Sequence, residues 1–139
     1  MASYAGDIPV EEAWKILESE PDAQLIDVRT KAEWTFVGVP DLGPVNRQPI
    51  LLEWQEYPSM EKNSGFAEAL ESADIPKDAP LLFLCRSGQR SAAAAELMTS
   101  HGYSRCYNFI DGFEGPADAA RHRGTSGGWK ARGLPWVQN

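Results

Sequence analysis

Apolar residues recur along this chain with two periods that take turns. Behind Pro9, which suits a first helical position, Val10, Ala13, Trp14 and Leu17 fall on one helical face until Pro21 stops the pattern. A short apolar run, Gln24-Leu25-Ile26-Asp27-Val28, then reads as a strand. Thr30-Lys31-Ala32-Glu33 has the spacing of a capping box and starts a second helix, with Trp34 expected in the core. From Gly38 to Pro49 glycine and proline crowd the chain into a loop, and Ile50-Leu51-Leu52-Glu53-Trp54 predicts a strand or a short helix. Asn63 or Ser64 caps a helix with Phe66, Ala67 and Leu70 on one face, and Pro76 lies beyond its end. Leu81-Leu82-Phe83-Leu84 is the next strand, followed by a helix from about Ser91 to Ser100 that His101-Gly102 closes. Arg105-Cys106-Tyr107-Asn108-Phe109-Ile110 forms the last strand, ended by Asp111-Gly112.

Strands alternating with helices predict an α/β fold with a mostly parallel central sheet and helices on both faces. Ligands in such sheets bind at the carboxyl ends of strands, which places Asp27 and Cys85 on one functional edge. Cys106 begins its strand and belongs to the opposite edge. It is expected to be a structural thiol that does not bridge to Cys85.

Composition narrows the picture. At 139 residues the chain fits one domain, residues 1–139, large enough for its own core. Two cysteines make no disulfide framework, and the start Met1-Ala2-Ser3-Tyr4 lacks a secretory pattern. No apolar stretch approaches about 18 residues, so no membrane span is expected and a cytoplasmic location follows by default. A net charge of −7 argues against a nucleic-acid partner. The charge is uneven, because residues 119–139 hold Arg121, Arg123, Lys130 and Arg132 and no acid. Folded over the Cys85 turn, that segment would help draw in a small anion.

Cys85 carries the chemistry. It ends an apolar strand and opens the turn Cys85-Arg86-Ser87-Gly88-Gln89-Arg90-Ser91, which runs into an alanine-rich helix. A thiol there meets turn N–H groups and the positive end of the helix dipole, which favour the nucleophilic thiolate. Gly88 suits a tight loop, since a residue without Cβ adopts positive φ and lets backbone approach sulfur. His101 and His122 show no ligand-pair spacing with the cysteines, so neither a metal nor a cofactor is expected. Trp14, Trp34 and Trp129 read as packing residues.

Together, Asp27-Val28-Arg29, Glu33-Trp34, the Cys85–Ser91 turn, Phe109-Ile110-Asp111-Gly112-Phe113 and Trp129-Lys130-Ala131-Arg132-Gly133-Leu134-Pro135 resemble a single-domain rhodanese, over roughly residues 8–136. The resemblance implies the three-layer rhodanese-like fold and a sulfurtransferase that carries sulfane sulfur as a Cys85 persulfide. It implies an active loop of Arg86, Ser87, Gly88, Gln89, Arg90 and Ser91 whose backbone N–H groups cradle the sulfur. Arg86 is expected to recognise an anionic donor and Arg90 to bond inward. Asp27 would accept hydrogen bonds from the loop, with Arg29 as its ion-pair partner. The implied partners are a small sulfur-donor anion and a thiol or cyanide-like acceptor, with a protein acceptor as an alternative.

Two features depart from the family pattern. Gly38-Val39-Pro40-Asp41-Leu42-Gly43 stands where rhodaneses often carry Gly-His-Ile-Pro-Gly-Ala, and Ser87 stands where thiosulfate-specific relatives tend to have a cation. Two rival functions exist. Phosphatase-like and arsenate-reductase-like enzymes use a similar loop, but with five residues between cysteine and arginine, whereas four separate Cys85 from Arg90. A non-catalytic rhodanese interaction module would be expected to have lost the cysteine.

Overall fold

The chain is described by a computed structural model over residues 4–86, 88–125 and 127–138. Its elements in chain order are β1 (Gly6–Ile8), α1 (Val10–Ser19), β2 (Gln24–Asp27), α2 (Lys31–Phe36), β3 (Val39–Pro40), β4 (Ile50–Leu51), β5 (Gln55–Glu56), β6 (Glu61–Lys62), α3 (Phe66–Glu71), β7 (Leu81–Leu84), α4 (Gln89–Ser100), β8 (Cys106–Phe109), α5 (Gly128–Ala131) and β9 (Trp136–Val137). Five strands form one parallel sheet in the order β1-β8-β7-β2-β4. Every residue of β7 is buried, as expected of a strand covered on both faces.

Alternation along the strands builds two cores. Ile26, Val28, Leu81, Phe83 and Cys85 face Phe66 and Leu70 of α3 and Ala94, Ala95 and Met98 of α4. Leu25, Leu82, Leu84 and Phe109 face the other way, against Val10, Ala13 and Leu17 of α1 and Trp129 of α5. Each such leucine or phenylalanine contributes about 1.5–3 kcal/mol on full burial, so the middle of the sheet is the firmest place from which to hang a loop. The three-layer α/β reading therefore stands.

Several local expectations change. Pro9 is the N-cap of α1, extended at φ −71° and ψ 157°, and its carbonyl accepts the N–H groups of Glu12 and Ala13. The Thr30–Glu33 capping box forms, yet α2 buries none of its residues. Trp34 is consequently half-buried rather than in the core, and its indole N–H has no partner among the described residues. The reason is position: α2 sits at the sheet rim, where Glu33 reaches the Cys85 loop, and does not lie flat on a face. Asn63 accepts the N–H of Gly65, which is itself the N-cap of α3. Helix α4 begins at Gln89, two residues before the expected Ser91, and Gly102 at φ +97° follows its end. The stretch from Val39 to Lys62 holds an edge strand, β4, a β5–β6 hairpin, and β3, which pairs antiparallel with β9.

Candidate active site

The register of β2 against β7 pairs Asp27 with Leu84, which brings Asp27 and Cys85 to the same carboxyl edge. Cys106 pairs with Leu81 at the opposite end of β7. Its sulfur lies 3.7 Å from the Tyr103 carbonyl oxygen, and burial pushes its thiol up, both consistent with a structural cysteine.

Cys85 is 1% exposed and meets two donors. The Gly88 N–H donates to Sγ at 3.0 Å, and the Ser91 hydroxyl lies 3.2 Å from it. The ring of backbone N–H groups expected here would face the outer sulfur of a persulfide, one bond beyond Sγ. To Sγ itself, among the described residues, only Gly88 offers a backbone N–H, and Ser91 contributes through its side chain because α4 starts early enough to turn that hydroxyl onto the sulfur. Gly88 has φ +115°, and a Cβ there would stand 2.9 Å from the Ile110 carbonyl oxygen, so the loop needs glycine on both counts. Ser87 lies outside the described residues.

The two loop arginines divide their roles. Arg86 is exposed and, with Gln89, Arg90, Glu114 and Arg123, borders an open groove of about 530 Å³ beside the loop. Arg90 turns inward and grips Glu33 with both ends of its fork, at 2.7 and 3.0 Å. Burial works to raise the Glu33 carboxyl, but the hydrogen bonds and charge of Arg90 prevail and hold it below its usual range. Burial likewise works to lower Arg90, and the bonds and charge of Glu33 outweigh it, helped by the charges of Cys85 and Asp27. Arg90 is therefore a fixed cation close to the sulfur.

Asp27 does not accept hydrogen bonds from the described loop residues. Arg29 occupies both carboxylate oxygens, through its backbone N–H, Nε and Nη2, at 3.1, 2.9 and 2.7 Å. The pair is fully buried, and Arg29 also donates to the Gly38 carbonyl at 2.7 Å and lies 4.2 Å over the Phe113 ring. A carboxylate satisfied two residues away has little left for a loop on the next strand. The pair ties the β2 edge to the Phe113 segment and supports the site from behind.

That segment was legible as a motif but not as a brace. Phe113 donates to the Cys85 carbonyl at 2.8 Å, and Glu114 and Gly115 both donate to that of Arg86. Trp129 and Lys130 in turn donate to the carbonyls of Gly112 and Phe113. The basic segment thus reaches the site as a second layer of backbone. Arg123 borders the groove and donates to the Gly115 carbonyl at 2.7 Å, whereas Arg121 is exposed and is not among the groove residues. Asn108 belongs to none of the sequence motifs. A polar residue in the middle of a buried strand was the available signal, and its Oδ1 accepts from Ser91.

A family model described as the STR4 middle domain matches residues 6–139. A rhodanese domain-containing protein of Drosophila melanogaster is 32% identical over 93 residues, covering 67% of this chain and 80% of its own. The chain belongs to the STR4 middle-domain family and is rhodanese-like. A crystal structure, Rv0390 from M. tuberculosis, superposes with a TM-score of 0.88 at 49% identity over 99% of this chain and 100% of that one. The uncharacterized protein RC0915 of Rickettsia conorii is 41% identical over 90% of this rhodanese-like chain and 91% of its own length. A sulfurtransferase of Allochromatium vinosum is 28% identical over 94% of each chain.

Proposed function

We propose that this rhodanese-like protein is a sulfurtransferase that carries sulfane sulfur on Cys85. The observation that supports it most is the convergence of the Gly88 N–H and the Ser91 hydroxyl on one sulfur at the start of α4. The thiolate attacks the outer sulfur of an anionic donor such as thiosulfate. A bond forms between Sγ and that sulfur, the donor's S–S bond breaks, and sulfite leaves with the bonding pair. An acceptor thiolate or cyanide then attacks the outer sulfur, and Cys85 departs as a thiolate that Gly88 and Ser91 stabilise by hydrogen bonds. Neither step calls for a general base. Arg86, exposed on the groove, meets the donor anion. A reducing compartment such as the cytoplasm suits a cysteine that must stay a thiolate, and the name of the Allochromatium vinosum relative agrees with the activity.

The phosphatase-like reading is weaker because the arginine it would need for an oxyanion is engaged by Glu33 through both nitrogens. Intact-mass measurement after incubation with thiosulfate, mercaptopyruvate or a persulfide donor tests the proposal. One added sulfur atom, absent from Cys85→Ser, is expected. Hydrolysis of an aryl phosphate with no gain of sulfur from any donor would sink it.

A further inference from the structure

A hydrogen-bonded chain runs from the outer edge of the sheet to the sulfur. Asp7 of β1 pairs with Asn108 of β8 and accepts its Nδ2–H at 3.0 Å. Asp7 Oδ1 also accepts the Tyr4 hydroxyl at 2.6 Å, and that phenol is pushed up to about 12, chiefly by this bond. Asn108, 5% exposed, presents Oδ1 to the Ser91 hydroxyl at 2.5 Å, and the same hydroxyl lies 3.2 Å from Cys85 Sγ. Two facts of donor chemistry make this chain directional. A carboxylate accepts only, so Asp7 fixes the Asn108 amide with its NH₂ outward and its oxygen toward Ser91. A serine hydroxyl carries one proton, so Ser91 cannot donate to Asn108 and to Cys85 at once.

We propose that Asn108, oriented by Asp7, is a positioning residue that competes with Cys85 for the Ser91 proton. With sulfur as the neutral thiol, the proton rests on the shorter bond to Asn108, and Ser91 turns a lone pair toward the S–H. When charge appears on Sγ, as thiolate nucleophile or as leaving group, the proton swings to it. The device thus stabilises the thiolate where a reaction creates it and withholds that help from the resting thiol. The other charges around the loop keep their partners in that exchange: Arg90 of α4, which feels the charges of Cys85 and Asp27, is held by Glu33 of α2, and Asp27 of β2 is held by Arg29. Arg86 stays exposed at the groove. The inference rests on Cys85 as the reacting thiol, and its test does not require sulfur transfer.

The measurement is the rate of iodoacetamide alkylation at Cys85, located by peptide mass, from about pH 5 to about pH 9. Asn108→Leu, close in shape, releases Ser91 to the sulfur. The profile midpoint is expected to fall by about one unit, making the low-pH rate about three- to fourfold faster, since the better-stabilised thiolate is also the weaker nucleophile. Asp7→Asn, at an exposed position, lets the amide turn over and shifts the profile the same way by less, so it decides the matter if Asn108→Leu fails to fold. Neither change moves the profile in a Ser91→Ala background. No shift in the single variants, or an equal shift without Ser91, overturns the proposal. If the alkylation shifts appear but the same wild-type protein gains no sulfur from any donor, the sulfurtransferase reading fails and the role of Asn108 stands.

Discussion

The brace behind the active loop makes Gly112→Ala the most informative single change. Gly112 sits at φ +65°, where an alanine costs about 1–2 kcal/mol from its own backbone. Its new Cβ would stand 2.4 Å from the Cys85 carbonyl oxygen and 2.6 Å from that of Arg86. Both are backbone atoms of the loop itself, so relief requires the loop to back away from the 112–115 segment. That retreat breaks the bonds from Phe113 to Cys85 and from Glu114 and Gly115 to Arg86. At about 1 kcal/mol each, two or three lost bonds bring the total to about 3–5 kcal/mol. For a chain of this size that is a fall in Tm of about 10–20 °C. Gly133→Ala is the control, since Gly133 has φ +74° but no atom within 4 Å of the added Cβ, and should lose only the backbone part, about 1–2 kcal/mol. Urea titrations of both variants measure the difference directly. Gly112→Ala should also load sulfur far more slowly under conditions where it is still folded. If the two variants are equally stable and Gly112→Ala loads normally, the segment does not brace the loop.

Other consequences follow from the same contacts. Glu33→Gln removes the charge partner of a partly buried Arg90 and should cost about 1–2 kcal/mol at pH 7 by urea titration. Because the folded Glu33 carboxyl is held low, its contribution is complete above the unfolded value of about 4.3 and is lost as pH falls through the lower folded value. The gap between wild type and Glu33→Gln should therefore close in acid, and a gap that widens there contradicts the ion pair. Cys106, paired with Leu81 at the end of β7 away from the groove and with its thiol pushed up by burial, should resist iodoacetamide near neutral pH until urea unfolds the chain; peptide mapping that finds it labelled in native protein would contradict the structural assignment. Arg86→Ala should raise the KM for an anionic donor more than Arg121→Ala does, with the reverse ranking moving donor recognition to the basic segment.

Much of the sheet could be read from the chain because its strands are apolar and flanked by turns. Leu81–Leu84 and the helix after it were visible as a change of period, and the motif at Cys85 sits at that change. Trp34 misled because a large aromatic one turn into a capped pattern looks like core, whereas helix α2 is too short to lie across a face. The stretch between Val39 and Lys62 has strands of two residues each, which leave no period to detect. At the site, the place of Cys85 at the end of β7 and the inward turn of Arg90 were legible. The Asp27–Arg29 ion pair was legible, but not that it would fill both carboxylate oxygens and leave none for the described loop residues, since spacing alone does not say which donors fill a carboxylate. The brace from 112–115 and the Asn108 contact depend on register between strands distant in sequence, and Asn108 lines up with both Asp7 and Phe83 only once the sheet is assembled.

Sulfur transfer by this protein requires sulfur held covalently at Cys85. Peptide mass mapping of the protein after thiosulfate, before and after cyanide, tests that claim most directly. The expected result is one extra sulfur on the peptide containing Cys85, removed by cyanide with an equal amount of thiocyanate released, and no such adduct in Cys85→Ser. Sulfur found on Cys106, or thiocyanate produced at the wild-type rate by Cys85→Ser, would contradict it.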